Sequence, residues 1–310
     1  MVYLHPDGVD ALPCSRSAPC ENIYFAVAQT DSTRSHVVFL PGTYQFNNAP
    51  GIHAGSTTTP SLTLHGSGST LRAANTDGLL SVTRQALLRD FTFDNTAGNA
   101  LYANGTIVLE GITLRGPNCL YASGNVTMRD VHIRSTGTGL TSGTGAVKWD
   151  GGSIRGGTNA IRAFRTAFDV RNVIIAETSG VALDVEETSG TMEFVTLAHN
   201  GTSVGTGPTA VRCPFPSSLS FRSSILWTPG LVTPPVEGSC QVTASIVGPT
   251  GMAGNTNANP VFVNVVASDY RISAGSPARD VANAGPALDF EGQPRPAGTG
   301  FDLGADEFQQ

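Results

Sequence analysis

Lysine is almost missing from this chain: Lys148 is the only one among 18 basic residues, and the other 17 are arginine. Charge is sparse as well, at 14% of residues with a formal net charge of −6. A protein that neutralises phosphates is usually net basic, so a general nucleic-acid binder is excluded as the default reading. No apolar run approaches the roughly 20 residues that a membrane-spanning helix needs. There is no CxxC, HxH or HExxH, and the six histidines are scattered, so the common zinc arrangements are absent. Neither a nucleophile triad nor a phosphate-binding glycine loop is visible. The N-terminus lacks the charged and apolar regions of a signal peptide, so a secreted protein would be represented here in trimmed form.

What is abundant is punctuation. The 310 residues include 36 glycines and 19 prolines beside 40% hydrophobic residues. That is too much turn chemistry for long helices and too much apolar content for disorder. The composition predicts many short strands joined by tight turns.

A repeat organises these strands. LLRDFTF (87–93), VLEGITL (108–114), TMRDVHI (127–133), KWDGGSI (148–154), DVRNVII (169–175) and TMEFVTL (191–197) end on the apolar anchors Phe93, Leu114, Ile133, Ile154, Ile175 and Leu197. A second apolar series, Leu101, Leu120, Leu140, Ile161, Leu183 and Val211, lies between them. Apolar residues alternate within each unit, and the parity changes at a turn in its middle, which is strand periodicity. A unit of about 21 residues cannot bury both faces alone, so successive units must stack on a shared interior. The expected fold is all-β: a parallel β-helix, one coil per repeat.

The chain resembles the right-handed parallel β-helix repeat proteins of bacterial envelopes and secretions. Residues 19–28 followed by Val37–Tyr44 resemble the short capping helix and first strand with its Pro-Gly-Thr-Tyr turn. Residues 259–307, with Gly275-Ser276-Pro277-Ala278-Arg279-Asp280 and Asp302-Leu303-Gly304-Ala305-Asp306-Glu307, are similar to the choice-of-anchor Q domain. The implied division is an N-terminal cap over 1–35, the β-helix over 36–258 and a loop-rich cap over 259–310. The resemblance implies an extracellular or cell-surface protein.

Five cysteines bear on the compartment. Cys14 with Cys20, and Cys213 with Cys240, form natural disulfide pairs and leave Cys119 alone; an all-thiol chain and a metal site are the rival readings.

The outward positions carry the functional candidates. Four residues before each anchor the sequence reads Arg89, Glu110, Arg129, Asp150, Arg171, Glu193 and, with Leu226 as anchor, Arg222. Alternating signs on adjacent coils predict a ladder of ion pairs that fixes coil register. The position just after the anchor differs, reading Asp94, Arg115, Arg134, Arg155, Ala176, with His132 on the same side as Arg134. Three unrelieved guanidiniums suit the carboxylate, sulfate or phosphate groups of a glycan. Tyr102 and Tyr121 in the third strand could add a flat platform for a sugar ring. Lys148 is placed beside Asp169, where an ion pair is expected. Asp184, Glu186 and Glu187 form the one candidate calcium cluster; no obligatory cofactor is implied.

Many β-helix proteins cleave polysaccharides. Asn75-Thr76-Asp77-Gly78 resembles one polygalacturonase motif, yet that family's paired aspartates, Gly-His-Gly and Arg-Ile-Lys are missing. The sequence therefore points to a non-catalytic protein with an acidic polysaccharide as ligand. The alternative is a polysaccharide lyase or glycoside hydrolase acting on an acidic glycan.

Overall fold

A computed structural model describes residues 1–46, 51–53, 61–200, 210–230 and 235–309. The chain is all-β, 56% strand and 3% helix, and forms a parallel β-solenoid of about 8 turns with about 22 residues per turn. It comprises two compact units, residues 1–135 and 136–310.

In the first unit the strand Val2–Leu4 is already a rung of the parallel sheet. Val2 stands in register with Val37, Val37 with Leu64, Leu64 with Leu88, and Leu88 with Leu109, and all five are buried. A second interior ladder runs Tyr44, Leu71, Phe93, Leu114. The expected N-terminal helix spans Ile23–Ala28, and the side chain of Asn22 caps it by accepting the N–H groups of Tyr24 and Phe25. Its buried side chains are Ile23 and Ala26.

The second unit repeats the plan. Ile154, Ile175, Leu197, Leu226 and Val247 are consecutive register partners and fully buried. Leu140, Ile161, Leu183, Val211 and Val236 make the other ladder. Adjacent parallel strands lie about 4.8 Å apart, so each ladder is a continuous column of touching side chains.

The parity change has a backbone cause. Three residues before each anchor from Phe93 to Val247 the chain adopts a left-handed conformation: Asp90, Gly111 and Asp130 in the first unit, then Gly151, Asn172, Phe194, Ser223 and Ala244 in the second. One left-handed residue turns the strand through a corner and exchanges inward for outward positions. Asp, Asn and Gly tolerate this conformation; Phe194, at φ 53°, does not by itself. Its ring is buried beneath the Arg295 guanidinium, 5.1 Å from the ring centre, and a Cβ on Gly285 would lie 2.8 Å from it. Packing of the C-terminal segment thus holds the corner.

That segment does more than close the last coil. Thr256 bridges to Ile246 at the end of the stack, and the chain then runs back along the outer face of five rungs. Ile174, Ala176 and Ala198 pack on Tyr270 and Ala305, while Ile225 and Ile246 pack on Ile272, Ala278 and Leu303. The N–H of Ala305 donates to Thr196 Oγ1 at 2.9 Å, and the N–H of Gly304 to the carbonyl of Ser223 at 2.9 Å.

Both expected disulfides are present, Cys14–Cys20 and Cys213–Cys240. Cys119 is a free, buried thiol. Burial pushes its pKa up to about 12, so it is inert in the folded chain.

Candidate functional site

The coil exposes one face through the residues on either side of the inward anchors Tyr44, Leu71, Phe93 and Leu114. On one side stand Thr43, Thr70, Thr92 and Thr113, each in register with the next. On the other stand Gln45, Arg72, Asp94 and Arg115. The ion pair of Glu110 with Arg129 fixes the offset to the following coil at 19 residues, which carries Thr113 onto His132 and Arg115 onto Arg134. The first unit therefore presents a column of hydroxyls ending in an imidazole, beside a column of charges with more guanidinium than carboxylate.

The charges on this face are unequally satisfied. Asp94 is claimed by Arg72, with Nε 3.3 Å from Oδ2. Arg115 and Arg134 are exposed, and among the described residues neither forms an ion pair. His132 Nε2 lies 3.0 Å from Asp130 Oδ1 at the neighbouring corner, which orients the ring along the face.

Part of the alternating ladder closes into ion pairs, from Arg89 to Arg129 and between Asp150 and Arg171, whereas Arg222 donates to Ser220. Glu110 accepts from Arg89 Nε at 2.9 Å and from Arg129 Nη1 at 2.7 Å. Burial raises its pKa, but the two guanidiniums outweigh burial and hold it below the ordinary glutamate value. In the second unit Arg171 pairs with Asp150 at 2.8 Å. These charges are spent on one another.

The remaining candidates are dispersed. Arg155 is 18% exposed: its guanidinium donates to the carbonyl of Ser268, lies 3.9 Å from Glu177 and sits 5.5 Å from the centre of the Tyr270 ring. It is a docking residue for the C-terminal segment, so the arginine stripe open to a ligand comprises Arg115 and Arg134. Tyr102 and Tyr121 are neighbours, with ring centres 5.8 Å apart and planes tilted by 49°, but they flank the other ladder, beside Leu101 and Leu120. Tyr102 covers the turn of residues 75–78, where a Cβ on Gly78 would lie 2.4 Å from its ring. The Asn75–Gly78 stretch is thus a packing turn. Lys148 stands in register with Asp169, yet among the described residues no ion pair joins them.

The calcium candidates are divided among arginines. Arg212 holds Asp184 with two hydrogen bonds of 2.8 and 2.9 Å, Arg162 approaches it at 3.7 Å, and Arg165 takes Glu187 at 2.7 Å. Among the described residues a different trio brings carboxylate oxygens within 4.8 Å of one another: Asp289, Glu291 and Asp306. Asp289 accepts the N–H groups of Glu291 and Gln293, and Asp306 that of Ile272, which gives both a structural task.

The threonine column and Arg72 were not among the sequence candidates. Their anchors are 27 and 22 residues apart, from Tyr44 to Leu71 to Phe93, and the longer first interval hides the repeat. The run Leu62-Thr63-Leu64 followed by Thr70-Leu71-Arg72 was the available signal.

No protein-family model matches the chain, and no curated protein does. Among solved structures it is similar to pectate lyase Pel9A, with a TM-score of 0.63 at 14% identity over 99% of this chain and 96% of that one. It also aligns with a pectin methylesterase solved with a hexasaccharide, at a TM-score of 0.43 and 12% identity over 83% and 92% of the two chains. At these identities the first likeness establishes the fold.

Proposed function

We propose that this chain is an extracellular or surface-displayed β-solenoid that binds an acidic polysaccharide without cleaving it, on the Thr/Arg face of its first unit. The observation that carries the reading is the pair Arg115 and Arg134. They occupy successive rungs, exposed and without ion pairs among the described residues, whereas Arg89, Arg129 and Arg72 each have a carboxylate. Adjacent unpaired guanidiniums repel, and an anionic ligand relieves that repulsion while matching their forked donors. The hydroxyl column beside them offers donors and acceptors to sugar hydroxyls. A pectate lyase has the same fold, so the scaffold is compatible with an acidic glycan on its side. Two disulfides favour an oxidising compartment. The C-terminal segment, similar to the choice-of-anchor Q domain, is the part that we assign to surface display.

An oligogalacturonate at low salt is expected to raise the melting temperature of the wild type, with the shift shrinking as salt rises. Arg134→Gln should lose most of the shift. An unshifted wild type, or a variant that keeps the full shift, overturns the reading.

The lyase or hydrolase alternative has one observation in its favour. On the second unit Asp150, Asp169 and Glu193 surround Arg171, with Lys148 in register beside Asp169. Asp150 accepts one hydrogen bond on each oxygen, from Arg171 and Asn172, which gives it a structural task in the charge ladder. Incubation with polygalacturonate and calcium should therefore produce neither unsaturated product, read by ultraviolet absorbance, nor new reducing ends. Either product would replace binding by catalysis.

A further inference from the structure

The polar face of the first unit continues one rung beyond its arginines. Thr43 and Gln45 flank the buried Tyr44 and line a cleft of about 420 Å³, together with Asp10, Glu21, Tyr24 and Phe46. Its walls are fixed in advance. The Cys14–Cys20 disulfide closes the neighbouring loop, and Asp10 Oδ1 ties the preceding stretch to the start of the helix by accepting the N–H groups of Glu21 at 3.0 Å and Asn22 at 2.8 Å. Tyr44 is held from below, donating its hydroxyl to the carbonyls of Leu4 at 3.0 Å and Leu40 at 2.7 Å.

The chemistry of this cleft is opposite to that of Arg115 and Arg134. Among the described residues two carboxylates line it and no arginine or lysine does. Among the described residues the side chains of Glu21, Thr43 and Gln45 make no hydrogen bond. Half-exposed Tyr24 and the partly buried Phe46 add ring surface to these hydrogen-bonding groups. A preformed hollow with apolar faces and a few unsatisfied polar groups is the usual form of a small-ligand site. Here the two carboxylates accept hydrogen bonds and repel anions, while Thr43 and Gln45 can both donate and accept.

We propose that the cleft is a second carbohydrate subsite, for a sugar unit that carries no acid group, so that the glycan on this face combines charged and uncharged residues. The proposal rests on reading the Thr/Arg face as a glycan face. A pyranose ring presents apolar C–H groups to an aromatic side chain and hydroxyls to carboxylates and amides. A hexosamine would add an ammonium for Glu21 and Asp10.

Three trisaccharides separate the outcomes by titration calorimetry: cellotriose for the neutral sugar, the glucosamine trimer for the amine, and trigalacturonate for the acid. Cellotriose or the glucosamine trimer should bind the wild type. Tyr24→Ala should weaken that binding roughly three- to tenfold while leaving the trigalacturonate titration unchanged. Glu21→Gln, which keeps the shape, should weaken the glucosamine trimer more than cellotriose. Arg134→Gln should leave both untouched. The subsite is overturned if neither uncharged nor amino trimer binds, or if both bind Tyr24→Ala and Glu21→Gln as tightly as the wild type. It is also overturned if Tyr24→Ala weakens trigalacturonate instead. Failure of trigalacturonate at the arginines alone would leave these arms readable.

Discussion

The residues flanking the inward anchors read Thr70/Arg72, Thr92/Asp94 and Thr113/Arg115 in the first unit, and Ile174/Ala176, Thr196/Ala198, Ile225/Trp227 and Ile246/Gly248 in the second. Backbone, register and anchor chemistry are the same in both. Only the outward positions differ, and they decide whether the face meets solvent or the folded-back C-terminal segment. A solenoid lets the two faces of one strand be chosen separately, because the interior ladder already secures the stack. Function and attachment can then be placed on one scaffold without altering its core.

The largest effect should come from releasing the covered face. Arg295 and Glu307 lie beneath the cap with side chains 0% and 1% exposed, and Arg295 donates to the carbonyl of Gly304 at 2.9 Å while covering Phe194. Removing one partner of a buried charge pair leaves the other uncompensated and costs about 3–5 kcal/mol. Arg295→Met is expected to lower the unfolding free energy by that amount, read as a lower urea midpoint, and to expose the isoleucine face to a dye that reports apolar surface. A midpoint unchanged from the wild type would show that the cap is held by its apolar contacts alone.

Exchange between the faces tests the comparison next. Ile225→Thr replaces an ethyl group beneath Leu303 by a buried hydroxyl, at a cost of about 2–3 kcal/mol. Thr113→Ile, the reverse change at an equivalent position of the first unit, should stay within about 0.5 kcal/mol because no segment among the described residues covers it. Equal effects in chemical denaturation would mean that the two faces do not differ as described.

The inward ladders were legible in the sequence because burial selects residues coil after coil, leaving the period of Leu114, Ile133, Ile154 and Ile175 on the page. The charge ladder was legible for another reason: outward charges of opposite sign pair on adjacent coils, so the sign alternates at one fixed offset from the anchor. Ala176 ended the arginine series in the sequence, but nothing local says that an alanine there lies under Tyr270, nearly a hundred residues away. Nor could Arg155 be told from Arg134, since their separate fates depend on where Ser268 comes to rest. Phe194 is the sharpest case. A bulky side chain at a left-handed corner contradicts local preference, and only the docked Arg295 and Gly285 account for it.

Acid–base behaviour should also divide the regions. Burial, together with Asp289 and Glu291, pushes the Asp306 carboxyl up to about 7 in spite of the Ile272 N–H and Arg295. Its proton is held more tightly in the folded chain than in the unfolded one, where the value is near 3.8. The resulting contribution to stability is complete below about pH 4 and is lost as pH rises through 7. Hydrogen exchange at Ile272 and Leu303 should therefore quicken between pH 4 and 7 beyond its intrinsic rate. Asp306→Asn, which keeps an acceptor for the Ile272 N–H, should flatten the dependence. The same slope in both proteins would remove Asp306 as its source.

The smallest effects belong to the exposed charges of the first unit, and there the sign is informative. Glu110 lies between Arg89 and Arg129, and each partly exposed pair is worth only about 0–1 kcal/mol. Glu110→Gln should lower the melting temperature slightly, because it leaves two guanidiniums facing each other across one amide. Arg134→Gln should leave it unchanged or raise it, because it removes a charge that repels Arg115 and has no carboxylate to lose. Added salt screens repulsion and attraction alike, so it should shrink both differences. A loss of stability in Arg134→Gln as large as that in Glu110→Gln would make Arg134 a structural charge like its neighbours, and the open face would then have no residue kept for a ligand.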